Sequence, residues 1–257
     1  MGTGARTHLL VACEIFDREI RLVAKFAPCT LELVFLEQGL HDRGADLMRA
    51  ALQEAVDRAD PARHDAVLLG YGMCGRGLVG LAAPRVPLVV PRAHDCISIL
   101  LGGRARHEAA LHDHAGTYWR SCGWIEKTAG RDGLANPLAF GGMNASPYDM
   151  AALIEKFGEE DAREIVATLN SHMDSYDRVA FIETGAEPDG SLEASARAEA
   201  RQLGWEYLTV PGDLGWLKRL AAGPWGDDEF LTLAPGTRIA AAYDGTVIRA
   251  EAATSPG

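Results

Sequence analysis

Cys13, Cys74 and Cys96, with His94 two residues before the last, are the side chains of this chain best suited to metal chemistry. Each cysteine follows a short apolar run of strand type. Cys13 closes His8–Ala12, Cys74 closes Ala66–Met73, and Cys96 follows Leu88–Pro91. If those strands lie parallel in one sheet, their C-terminal ends share one edge, the edge at which open α/β sheets bind ligands. Three thiols and an imidazole are donors for tetrahedral zinc. Three cysteines alone suit a [4Fe–4S] cluster with one iron left open. His94 and Cys96 are two apart, which puts both side chains on one side of an extended backbone. There is no C-x-x-C pair, so the expectation rests on convergence. The competing reading is that buried cysteines are ordinary small apolar side chains.

The neighbours of these residues suggest roles for themselves. Arg92, Asp95 and Arg76 flank the thiols, where a cation favours thiolate and Asp95 can orient His94. Each also reads as a surface charge. Gly70-Tyr71-Gly72-Met73-Cys74-Gly75 has the outline of a dinucleotide fingerprint. The helix that should follow is cut short by Pro84 and Pro87, so Gly72 and Gly75 are read instead as letting backbone approach a cofactor around Cys74. A plain Gly-rich turn is the alternative. Tyr118, Trp119 and Trp124 suit a lid or wall for a planar ligand, or simple packing. Glu183, ending a later strand, is a candidate acid–base group. His107, His112 and His114 form a loose cluster read as solvated, and Cys29, beside Pro28, reads as structural.

Elements that could position these groups alternate along the chain. Strands are expected at Leu9–Ala12, Leu31–Leu36, Ala66–Leu69 and Leu88–Val90. Helices are expected at Asp17–Phe26, Ala45–Arg58 and Ile97–Leu101. From about Gly103 to Ala145 the pattern breaks into a Gly-, His- and aromatic-rich stretch. Ser146-Pro147 then opens a long helix or helix pair to about Tyr176. Alternation resumes with Val179–Ile182, Ser191–Leu203, Glu206–Val210, Leu214–Ala222 and Phe230–Leu233, and an edge strand after Thr237 is possible. The expected fold is α/β, with two Rossmann-like halves, mainly parallel sheets and a cleft at the C-terminal strand ends. The first half spans residues 1–128 and carries the Cys/His site. The second spans 145–257, joined by the aromatic and Gly-rich segment and the long helix.

Bulk properties narrow the partners. Of 257 residues 47% are hydrophobic, enough for a sizeable core. The formal net charge of -11 and the lack of a Lys/Arg block argue against a nucleic-acid partner. No apolar run reaches the length of a membrane span, and the N-terminus lacks the pattern of a signal peptide. A cytoplasmic location is expected, where five unevenly spaced cysteines are better read as ligands, nucleophiles or core fillers than as disulfides. The motifs G-x-x-x-x-G-K-[ST], H-E-x-x-H and G-x-S-x-G do not occur. Nothing here sets the oligomeric state.

Tyr71-Gly72-Met73-Cys74-Gly75, Pro91-Arg92-Ala93-His94-Asp95-Cys96-Ile97 and Gly116-Thr117-Tyr118-Trp119 with Gly123-Trp124 resemble the DUF1638 family, from Cys13 to about Trp225. The resemblance implies equivalents of Cys13, Cys74 and Cys96, and Cys122 departs from it. Members of that family often occur near corrinoid-dependent methyltransferase systems, which implies one-carbon chemistry and a possible corrinoid-protein partner. Three functions are therefore expected. One is a metal-dependent enzyme acting on a small-molecule substrate, with zinc held by Cys13, Cys74, Cys96 or His94. Arg92, Asp95, Tyr118 and Glu183 would serve its chemistry, and Gly72, Gly75, Trp119 and Trp124 would line its cofactor pocket. Another is a [4Fe–4S] lyase or dehydratase. The third is a non-enzymatic metal- or corrinoid-binding accessory protein, whose corrinoid version lacks the D-x-H-x-x-G pattern.

Overall fold

The computed structural model describes residues 6–113, 116–128, 150–170 and 175–253. Gly141–Asn144, the Ser146-Pro147 helix start and His114 lie outside them. Strand β1 (Thr7–Cys13) leads into helix α1 (Asp17–Ala24), β2 (Thr30–Leu36), α2 (Ala45–Val56), β3 (Ala66–Gly70) and β4 (Leu88–Pro91). Alternate residues of each inner strand serve opposite cores. Leu10 and Ala12 of β1, Ala66 and Leu68 of β3, and Val89 of β4 face one hydrophobic cluster. Leu9 and Val11, Val67 and Leu69, and Leu88 and Val90 face another. A sheet buried on both faces needs continuous apolar strands, which is why these runs stood out in the sequence.

Five strands form the first sheet, in the order β2-β1-β3-β4-β8, with β8 spanning Phe230–Leu233. The contacts among β1 to β4 are parallel, and β8 closes the edge antiparallel to β4. The strand order reverses between β1 and β3, whose residues Ala12 and Gly70 pair directly.

The stretch expected to be irregular is in part regular. Short helix α3 (Cys96–Leu100) is followed by α4 (Arg104–Asp113), β5 (Thr117–Arg120) and α5 (Cys122–Thr128). A helix pair follows, α6 (Met150–Phe157) and α7 (Glu159–Asn170), then β6 (Arg178–Glu183), α8 (Ser191–Leu203), β7 (Glu206–Pro211) and α9 (Gly215–Ala222). Periodicity missed β5 because Thr117–Arg120 is only four residues long and ends on an arginine. That arginine is neutralised inside the fold: Arg120 donates two hydrogen bonds, of 2.8 and 2.9 Å, to Glu199 on α8.

Strands β5, β6 and β7 make a second, wholly parallel sheet in that order. The chain then returns to the first sheet through β8 and ends in the antiparallel hairpin of β9 (Thr237–Ala241) and β10 (Ile248–Ala252). The architecture is thus α/β with mainly parallel sheets. Helix α1 also touches the elements around the second sheet. The fully buried Glu19 of that helix accepts hydrogen bonds of 3.2 Å from Cys122 Sγ on α5 and from Thr184 Oγ1 after β6. No helix among the described residues is long and apolar enough to cross a membrane.

Candidate functional site

The three cysteines come from three elements near the C-terminal edge of the first sheet. Cys13 is the last residue of β1, Cys74 lies four residues past β3, and Cys96 is the first residue of α3. Only the first closes a strand outright. The other two sit in loops that are stitched together: Met73 N–H donates to Ala93 O at 2.8 Å and Cys74 N–H to His94 O at 3.0 Å. Gly72 is required by that contact. A Cβ there would stand 2.6–2.7 Å from backbone atoms of Asp95.

Each of these thiols feels the charge of its neighbours. Burial pushes the Cys74 thiol up to about 12, and the neighbouring charges of Cys13 and Asp95 push the same way. Hydrogen bonds from the backbone N–H groups of Gly72 and Cys96 oppose the rise. Cys96 is raised further, first by burial and then by Cys74, Asp95 and Cys13. At neutral pH both are therefore thiols, and a cation that draws off their protons would find its ligands there. All three keep partial exposure. Among the described residues, no three His, Cys, Asp or Glu side chains are set closely enough to hold a metal ion as they stand.

Two further features mark these loops. Cys74 has φ 40°, Gly75 61° and Arg76 79°. Successive left-handed residues are natural for Gly75 and strained for its two neighbours. Tyr71, 4% exposed, sets its buried hydroxyl against the Cys13 thiol. Burial raises its pKa, and the charges of Cys13 and Cys74 raise it further.

The other candidates have definite places. Asp95 caps α3: its Oδ1 accepts from Ser98 N at 2.8 Å and from Ser98 Oγ at 2.7 Å. Ser98 Oγ in turn lies 2.9 Å from His107 Nδ1. His107 is thus buried at 7% exposure, a correction to its expected solvation. Its signal was weak, since α4 carries almost no apolar stripe of its own. The His94 side chain is exposed, and what joins the thiol loops is its backbone carbonyl.

Arg92 turns away from the thiols. Its guanidinium donates to the carbonyls of Asp227 at 2.7 Å, Thr246 at 3.1 Å and Ile248, clamping the β9–β10 hairpin to the end of β4. Tyr118 lies across the second sheet, 5.4 Å from the Tyr176 ring and under the Arg120 guanidinium at 4.4 Å. Glu183 ends β6 and is exposed. Trp119 and Trp124 pack in or against the hydrophobic cluster that Cys13 and Cys96 edge. Cys29 donates to Ala221 O at 3.2 Å.

Sequence reasoning passed over Glu19. A glutamate on an amphipathic helix reads as solvated, and only the arrival of α5 and β6 buries it. Burial raises its pKa, with Glu187 adding to the rise, while the Cys122 and Thr184 hydrogen bonds oppose it.

The thiol loops thus lie beyond the C-terminal ends of β1 and β3, where the strand order reverses. Crevices at such points are the usual ligand sites of open α/β sheets. No curated protein and no solved structure matches the chain. A family model described as "Protein of unknown function (DUF1638)" matches residues 35–221, including Cys74 and Cys96 with Cys13 upstream, and the chain belongs to that family.

Proposed function

We propose that the protein is a metal-dependent enzyme whose centre is held by Cys13, Cys74 and Cys96. The observation that carries this reading is the placement of Cys13, Cys74 and Cys96 around the strand-order reversal, near enough that their charges act on one another. The donor set fits a thiophilic ion: three sulfurs, mutually repulsive once ionised. Because the thiols as placed do not form a cage, loading would draw them together. Zinc would supply Lewis acidity or an activated thiolate.

The chain's own groups set the rest of the site. Gly72 lets the two loops close on each other. The Gly72 and Cys96 N–H groups stabilise negative charge on the Cys74 sulfur. Asp95, fixed by Ser98, holds the start of α3 and therefore Cys96. The family resemblance directs the substrate to one-carbon or methyl-group chemistry, with a corrinoid protein as the matching partner. A second reading, a [4Fe–4S] cluster with an open iron, is favoured by the exposed His94 side chain, which leaves three sulfurs as the natural donor set.

Metal analysis and visible absorption of anaerobically purified full-length protein test the proposal. About one zinc per chain supports the first reading, and iron with sulfide and charge-transfer colour the second. Either should vanish in Cys13→Ser, Cys74→Ser and Cys96→Ser and survive in Cys29→Ser. A folded wild-type chain that takes up neither zinc nor a reconstituted cluster would refute both.

A further inference from the structure

We propose that the cavity between α1, α5 and the loop after β6 binds a small ligand carrying a doubly charged anionic group, a phosphate monoester or a dicarboxylate. The cavity has a volume of about 480 Å³, within the range that holds metabolite-sized ligands. Its charged walls are Arg18, Arg21, Lys25 and Lys127 against Asp17 and Glu126. Four cations facing two carboxylates give a local positive surplus in a chain whose net charge is -11. Such a surplus is a focus for anions rather than a sample of the average surface.

The ion pairs do not use up that surplus. Arg18 is bound by Glu126 through hydrogen bonds of 2.8 and 2.6 Å. Asp17 alone serves two cations, Arg21 at 2.6 Å and Lys127 at 3.9 Å. One carboxylate cannot neutralise both, and the ammonium at 3.9 Å is the one a better anion would capture. Lys25, exposed one turn beyond Arg21, adds a further charge. Location supports the same conclusion. Gly185 and Ala186, which complete the wall, follow directly from the C-terminal end of β6. The cavity therefore lies just beyond the C-terminal end of a strand of the parallel second sheet. It shares no residue with the thiol loops, so the inference stands or falls apart from the metal proposal.

Calorimetric titration of the full chain with inorganic phosphate and, separately, with malonate tests it, at low ionic strength and with chloride as the control anion. Saturable one-to-one binding of phosphate alone identifies a phosphoryl ligand, of malonate alone a carboxylate one, and either supports the site. The Lys25→Gln, Lys127→Gln double variant changes only solvent-accessible ammonium groups and should weaken that binding about tenfold, the scale of lost charge-assisted contacts. Its melting temperature serves as the folding control. Glu126→Gln, which frees Arg18 and removes a negative charge, should tighten it. Failure of both anions to bind beyond chloride, or equal binding by the folded double variant, would overturn the proposal.

Discussion

Glu19→Gln should stabilise the protein at neutral and alkaline pH, though it removes a charged residue from α1. Glu19 is 0% exposed. Its Oε1 takes hydrogen bonds from Cys122 Sγ and Thr184 Oγ1, while Oε2 has no partner. The charged groups around it are mostly acidic: Glu187 raises its pKa, and Arg18, which feels its charge, is engaged by Glu126. Burial therefore favours the neutral acid in the folded state. The sign follows from linkage. A carboxyl whose folded pKa is raised binds more protons in the native state, so its contribution is intact below the unfolded pKa, near 4.3, and is lost as pH rises through the folded value. Glutamine keeps a carbonyl oxygen for both donors and never ionises. The variant should match wild type near pH 4 and exceed it by about 1–3 kcal/mol at pH 8, the scale of an uncompensated buried polar group. Urea denaturation at both pH values reads the difference, and effects common to both proteins cancel. A variant that loses stability at pH 8 relative to pH 4 would show that Glu19 is an ionised, well-paired carboxylate, and the burial argument would fail.

Gly72→Ala should cost about 1–3 kcal/mol in thermal or chemical unfolding, because the new methyl meets the Asp95 backbone rather than a side chain that can move. It should also lower metal content by parting the Cys74 and Cys96 loops. Arg120→Ala should cost about 1–3 kcal/mol by leaving the partly buried Glu199 carboxylate unpaired. Arg120→Met with Glu199→Leu should recover much of that in a double-mutant cycle. Cys74→Gly should relieve the strain at φ 40° and raise metal-free stability by about 1 kcal/mol, while abolishing the metal uptake proposed for the site.

The inner strands were legible because burial on both faces leaves no polar positions. Val67–Leu69 and Leu88–Val90 are continuous apolar runs for that reason. Helices α1, α2 and α8 followed from their apolar stripes, and their expected limits hold to within about two residues. What the sequence concealed is partnership between distant segments. Nothing local in Thr117–Arg120 announces that its arginine will meet Glu199, 79 positions on. Nothing in Asp17–Ala24 marks Glu19 as the residue that α5 will cover. Arg92 was placed near the chemistry because it is near Cys96 in sequence, yet a strand end fans neighbouring side chains in different directions, and its guanidinium serves the terminal hairpin. The meeting of the cysteine loops was legible because it depends only on parallel strand direction, which the β-α-β order dictates.

The strain in the β3 loop bears on whether Cys74 is a core filler. A small apolar residue that fills space needs no special backbone. A non-glycine residue at φ 40°, followed by another at 79°, costs on the order of 1–3 kcal/mol each. Glycine would remove that cost at position 74, as it does at position 75 between them. Packing gives no offset that alanine or glycine could not supply, since the residue sits at the rim of its cluster rather than within it. The left-handed turn does have one consequence that packing does not explain. It carries the sulfur back toward the Cys96 N–H and the charge of Cys13, the two groups that act on its ionisation. A backbone bent at a cost beside two other thiols is what the proposed metal site would require, and simple space-filling would not.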